Sequence, residues 1–261
     1  MHRRNSIFWG GILILLAFLL ILKQLQIVHD VLGFFWPLLV IAFGAWMIVS
    51  YFSRRQPTAG EQVSIPLEGA TMASVKLDHG AGRLTIKSGA GSGEVLNGRF
   101  VGGIHYKKHL DGNHLEVKLR TPSQVWAWWP GESLEWEVYL NKSIPFHLKL
   151  DSGASSSVID LSDLKVTDLD INTGASKTEL TLPNNAGNTH VDIDTGASSL
   201  KVIIPPEVAA RIRVKTGVAS VNINSRFARQ DNDLYQSPDY TTTSNRVDMT
   251  IDAGVGSIEI V

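Results

Sequence analysis

Two serine and lysine pairs have the spacing found in serine acyl-enzymes, where a lysine activates a serine hydroxyl three positions before it. They are Ser162 with Lys165 and Ser198 with Lys201. That chemistry needs both side chains on one face of a helix, whereas both pairs fall in segments with the alternation of β-strands. We therefore expect no acyl transfer at either pair.

Two glycine-rich stretches resemble parts of phosphate-binding loops. One runs from Gly174 to Thr178 and lacks the earlier glycine of such a loop, and the other, from Lys87 to Gly93, has no lysine after its glycines. Both are interpreted as corners between strands. Neither predicts a nucleotide cofactor.

Metal sites would need the histidines or the acidic residues. His105, His109 and His114 lie close in sequence, and Asp151, Asn172 and Asp194 precede successive glycines. The chain has no cysteine, and the nonapeptide repeat of calcium-binding β-rolls is absent. We predict exposed strand histidines and Asx side chains that close turns through backbone amides, with no metal, cofactor or catalytic residue.

The bulk composition also points away from several partner classes. The net charge of −1 does not indicate nucleic-acid binding, and the lack of cysteine excludes disulfides. We therefore expect a protein that is not an enzyme and that acts through its surfaces.

One phrase recurs through the chain: an apolar strand, then Asx or Lys, one further residue, Gly, a small residue and another apolar strand. The spacing between Gly153, Gly174, Gly196 and Gly217 is 21, 22 and 21 residues, which is typical of stacked β-coils. The sequence predicts a single-stranded β-solenoid whose tight corners need glycine for positive φ and a small residue after it for close stacking. The predicted corners are Gly80, Gly153, Gly174, Gly196, Gly217 and Gly254.

Apolar residues on both sides of each corner predict the core of the coils, with Val158 and Leu161 completing the coil of Gly153. The interval from Gly217 to Gly254 is 37 residues. The excess over one repeat falls within the polar segment 224–245, which we interpret as an exposed loop that carries Phe227, Tyr235 and Tyr240.

Two apolar runs near the N-terminus predict a helical transmembrane hairpin, residues 1–55, with spans at about 7–24 and 31–52. Arg3 and Arg4 precede the first span and Arg54 and Arg55 follow the second, so both ends are predicted to be cytoplasmic. The predicted domains continue with a linker (56–62), an irregular β region (63–145) and the regular coils (146–261) with the 224–245 insertion. The soluble domain is then cytoplasmic.

Three tryptophans cluster within four residues in the irregular region. Trp126, Trp128 and Trp129 adjoin Pro130 and Gly131. Indoles so placed either cap an open end of the solenoid or contact the bilayer or a protein partner. Both alternatives stay open.

The spans FWGGILILLAFLLIL and FFWPLLVIAFGAWMIV, the TGAS phrases and the ending DAGVGSIEIV resemble the LiaF-like membrane proteins of bacteria, whose soluble part is the toastrack domain. The resemblance implies a regulator or sensor of cell-envelope stress in the cytoplasmic membrane, acting on a membrane protein such as a sensor histidine kinase. An alternative is a structural or adhesin-like solenoid that self-assembles into a homo-oligomer.

Overall fold

The computed structural model describes residues 60–122 and 134–261, together with Gly44, and the two long ranges belong to one compact unit. Every regular element in these ranges is a β-strand. They are β1 (Glu61–Pro66), β2 (Met72–Ser88), β3 (Glu94–Val101), β4 (His105–Asp111), β5 (His114–Arg120), β6 (Glu135–Leu140), β7 (Pro145–Asp160), β8 (Lys165–Thr181), β9 (Asn188–Ile203), β10 (Ala209–Ile223), β11 (Ala228–Arg229), β12 (Leu234–Gln236) and β13 (Arg246–Ile260).

Six long strands form the body of the fold: β2, β7, β8, β9, β13 and β10, each of 15 to 17 residues. They pair in parallel, so that Leu148 of β7 lies opposite Leu169 of β8, which lies opposite Val191 of β9. A glycine corner divides each strand into a first and a second arm. Inward aliphatic residues alternate with outward polar ones, and stacking the coils buries them as one continuous core. The predicted β-solenoid is confirmed.

The coils do not stack in chain order at the C-terminal end. β13 lies between β9 and β10, with Ile251 opposite Ile193 on one side and Val214 on the other. The regular glycine spacing does not reveal this exchange, because a coil of the same length fits at either position in the stack.

The N-terminal end is built from shorter strands. β5 pairs with the first arm of β2 and β6 with its second arm, so the two together complete one more coil. β4 then adds antiparallel to β5 through a turn at Gly112, while β3 adds antiparallel to β6 and β1 adds antiparallel to β3. Trp136 is fully buried on β6.

The predicted exposed loop at 224–245 is confirmed only in part, because more than half of its residues are exposed but it also contains two short strands and several buried side chains. β12 pairs antiparallel with the first arm of β10, and β11 pairs with β12. Phe227 and Tyr240 are only 4% and 9% exposed, and the Ser237 hydroxyl accepts a hydrogen bond of 2.8 Å from the Ala210 amide. The segment is ordered because its strand β12 pairs with the first arm of β10, which would otherwise be an open edge of the sheet.

One predicted core residue faces the other way. Val158 is 41% exposed, and its neighbour Ile159 is buried instead. In the second arm of β7, Ser155 and Ser157 take the inward positions, which places Val158 in an outward column beside Thr85 and Glu179. Leu161 is buried as predicted.

Candidate functional site along the glycine corners

The corner glycines are required for close approach between coils. A Cβ on Gly174 or Gly196 would lie 2.8 Å from the carbonyl oxygen of the preceding corner glycine, and one on Gly254 only 2.5 Å from that of Gly196. The predicted positive φ holds for Gly80, at 75°, but not for the five later corners. Stacking at about 4.8 Å leaves no room there for a side chain.

The small residue after each glycine faces outward, which corrects its predicted role in close stacking. The column runs through Ala81, Ala154, Ala175, Ala197, Val255 and Val218. Val255 and Val218 are 55% and 76% exposed. The column therefore forms an apolar ridge whose bulkiest side chains lie at the β10 end of the stack.

A ladder of exposed and half-buried polar residues runs along the same corners, two positions before the glycines where a glycine is present. In register order it contains Arg120, Asp78, Asp151, Asn172, Asp194, Asp252 and Lys215. We call this set the corner ladder. Its four carboxylates lie between one cation at each end.

Side-chain bonds connect the ladder between coils. Asn172 Nδ2 donates to Asp151 Oδ1 at 3.1 Å, and Lys76 Nζ lies 2.6 Å from Asp151 Oδ2. Partial burial acts to raise the pKa of Asp151, but the hydrogen bonds from Lys76 and Asn172 outweigh it and hold that pKa below its usual value. The prediction that Asp151 and Asn172 cap backbone amides two residues on was wrong, because these bonds run laterally.

The carboxylates of the corner ladder are less neutralised toward its Lys215 end. Asp194 and Asp252 are neighbours in register, and both are exposed. Within residues 60–122 and 134–261 neither carboxylate forms an ion pair, whereas Asp78 lies 2.8 Å from Arg120 Nε. This part of the ladder therefore carries a local excess of negative charge.

The members of the corner ladder other than Arg120 and Lys215 line an open groove of about 710 Å³. Ser152, Thr173 and Thr195 also line it, and the Thr173 hydroxyl donates to Thr195 at 3.1 Å. Open walls and carboxylates suit contact with a basic surface of another molecule better than enclosure of a small substrate.

The residues considered for catalysis do not converge. The Ser162 hydroxyl donates to Asp160 at 2.7 Å, while Lys165 Nζ donates to the Ser143 carbonyl. The Ser198 hydroxyl is buried, whereas Lys201, three positions later, lies at the surface 3.9 Å from Glu259. Each pair is thus split by the strand geometry.

The histidines are also separated. His105 and His109 lie on β4 opposite Arg120 and Glu116, and His114 Nε2 lies 2.7 Å from the Ser74 hydroxyl. Among the described residues, no cluster of three or more His, Asp or Glu side chains has a geometry that could hold a metal ion.

Trp126, Trp128 and Trp129 lie outside the described residues, but the chain on either side is placed. Thr121 N donates to the Asp78 carbonyl at 3.2 Å, and Arg83 N donates to the Leu134 carbonyl at 2.8 Å. Thr121 and Leu134, which flank the tryptophan segment in sequence, therefore both lie beside the first corner, next to the Asp78 end of the ladder.

The sequence did not point to His79, which the structure places in the core. His79 is 1% exposed and its ring meets that of Trp136 edge-on, with centroids 5.1 Å apart. The position before the corner glycine faces inward in other coils too, where Thr195 and Ala253 are buried. The sequence did offer one signal. In the other corner phrases the residue before the glycine is small, whereas at the first corner it is a histidine.

Sequence comparison accounts for most of the chain. The family described as the N-terminal domain of toast_rack, DUF2154, matches residues 54–203, more than half of the sequence. The chain belongs to this family. The LiaF transmembrane domain matches residues 8–64, so the LiaF-like resemblance is confirmed and membrane anchoring is indicated. A search of curated proteins finds no match.

A solved structure supports the fold of this LiaF-like protein. It is a crystal structure from Clostridium sporogenes named a "putative cell adhesion protein", 25% identical, with a TM-score of 0.72 over 78% of this chain and 99% of the other. The spans predicted at 7–24 and 31–52 lie, apart from Gly44, outside the described residues. Among the residues that the structure does describe, no helix is long and apolar enough to cross a membrane.

Proposed function

We propose that this LiaF-like protein is a membrane-anchored regulator or sensor of a bacterial cell-envelope stress response that works by protein contact and not by catalysis. The observation that carries the proposal is the presence of a LiaF transmembrane domain match and a toast_rack match in one chain. The proposed partner is another membrane protein, such as a sensor histidine kinase.

The corner ladder is the surface proposed to meet that partner. Its exposed carboxylates, Asp194 and Asp252, lie beside an open groove. A basic partner surface would be drawn to them, and such charges contribute mainly to the rate and specificity of association. The paired strands behind the groove hold these charges at fixed spacing.

Neutralising the excess charge tests this role. The doubly substituted full-length protein, Asp194→Asn with Asp252→Asn, is expected to co-purify with its kinase several-fold less, about what loss of exposed charge pairs produces. Kinase-dependent reporter output should change in the same strain. Glu116→Gln with Glu179→Gln is the matched control, because it removes the same charge from exposed strand positions outside the groove. Equal behaviour of the two double variants would refute the proposed surface.

The proposed topology is two spans with both ends and the toast_rack domain in the cytoplasm. The chain has no cysteine, so single cysteines can report it. We expect an impermeant maleimide to label intact cells at Gln26→Cys, between the spans, and not at Asn232→Cys. Asn232 is suitable because it is exposed, whereas Ser237 in the same insertion is buried. Cell lysis is the control and should make both positions reactive.

An adhesive or structural role is the second candidate, favoured by the name of the similar Clostridium sporogenes structure. It would place the toast_rack domain outside the cell. Labelling of Asn232→Cys in intact cells would therefore support adhesion and would contradict control of an inner-face kinase domain.

A further inference from the structure

We propose that the outer edge of β10 is a self-association surface at which two copies of this chain pair through residues 218–223. The first arm of β10 has a neighbour on both sides, since β12 covers it opposite β13. The second arm, Val218 to Ile223, pairs with β13 alone within the two long described ranges. Its outer row of backbone N–H and C=O groups is a template for another strand.

The apolar core also reaches this edge uncovered. Val221 is 38% exposed, although its register neighbour Ile258 is 2% exposed and the next in the column, Leu200, 3%. Ile223 is likewise partly exposed in the column of buried Ile260. One further strand on this side would complete the burial that every inner coil already has.

The opposite end of the stack carries the features that prevent strand addition. β4 is exposed along its whole length and presents Lys107 and Lys108, while β1 ends in Pro66 and begins with Glu61. Residues 218–223, VASVNI, contain no charge and no proline. Head-to-tail growth would need both ends, so an edge at one end favours a closed two-fold dimer.

A second copy is the occupant that fits this strand best. In an antiparallel pair centred on Val221, inward residues meet inward residues: Val221 lies opposite Val221 and Ala219 opposite Ile223. Outward Ser220 then lies opposite Asn222, and no like charges meet. Anchoring of both copies in one membrane, as the LiaF transmembrane match indicates, raises their effective concentration and offsets the small area of a six-residue contact.

Cysteine cross-linking of the full-length protein in isolated membranes tests the pairing. Opposed residues of antiparallel strands have Cβ atoms about 4.5–5.5 Å apart, close to disulfide geometry. Val221→Cys should therefore form a disulfide-linked dimer on oxidation, while Lys107→Cys on β4 should stay monomeric. Equal cross-linking of the two variants, a Val221→Cys adduct with a different protein, or a link that forms only when the Val221→Cys and Lys107→Cys variants are mixed would overturn the inference.

A second pair of variants gives an independent readout. Val221→Lys would place two like charges at the two-fold axis, and we expect it to abolish energy transfer between fluorophore-labelled copies in reconstituted vesicles, where the membrane anchoring is kept. Val221→Thr keeps the shape and should retain the energy transfer. Energy transfer that persists in Val221→Lys would also overturn the inference. Because these readouts need no kinase, the inference can stand if the proposed regulatory function fails.

Discussion

Gly256→Ala is expected to be among the most damaging single substitutions in the toast_rack domain. A Cβ at this position would lie 1.8 Å from the carbonyl oxygen of Ser198 and 3.0 Å from its amide nitrogen, and the φ of Gly256 is +144°. The added methyl group must push β13 away from β9, which would separate β13 and β10 from the other coils of the stack. We expect a loss of about 3 kcal/mol or more in the free energy of unfolding.

Gly93→Ala is the matched control for this substitution. A Cβ on Gly93 meets no atom within 4 Å, and its φ is not in the left-handed region. Urea unfolding of the full-length protein in detergent, followed by circular dichroism of the β-sheet, compares the two variants. Similar midpoints would show that β9 and β13 do not approach as closely as described.

Acid is expected to destabilise the domain through His79. Burial lowers the pKa of His79 from 6.5 to about 4, because the core offers the imidazolium no solvation. Between these pH values the unfolded chain binds a proton that the folded protein does not. The contribution of neutral His79 to the free energy of unfolding is therefore fully present above pH 6.5. It is lost as the pH falls toward 4, which lowers the free energy of unfolding by up to about 3 kcal/mol.

His79→Leu should remove this part of the pH dependence, since leucine keeps an apolar contact with Trp136 and cannot titrate. His109→Leu is the control, because His109 is exposed on β4. The measurement is the unfolding midpoint at a series of pH values from about 7 to about 4, read as a slope for each variant. A slope in His79→Leu as steep as in the unchanged protein would assign the acid sensitivity to other groups.

The sequence predicted the coils well because their signals are local. Alternation in each arm and the recurrence of glycine are properties of consecutive residues, and they identified the corners from Gly153 to Gly254. Which alternate residues of a single arm face the core is predicted less well from the sequence. Val158 is more apolar than Ser157, yet Ser157 takes the inward position. Neighbouring coils fix that choice, and they are distant in sequence.

Features that depend on coil order or on non-repeating segments could not be predicted. The corner ladder includes Asp252 between Asp194 and Lys215 only because β13 enters between β9 and β10. The open second arm of β10 follows from the same exchange, since chain order alone would place β10 inside the stack. The burial of Phe227 and Ser237 likewise depends on β12 reaching back to β10.

The place of β13 also has a consequence for biosynthesis. Coils from β7 to β9 can stack as they leave the ribosome, each onto the one before it. β10 cannot, because the strand that joins it to β9 is synthesised after it, and the Val261 amide that follows this strand bonds to Val202. Completion of the sheet therefore awaits emergence of β13, and a chain truncated before Arg246 would lack the strand that links β10 to the stack.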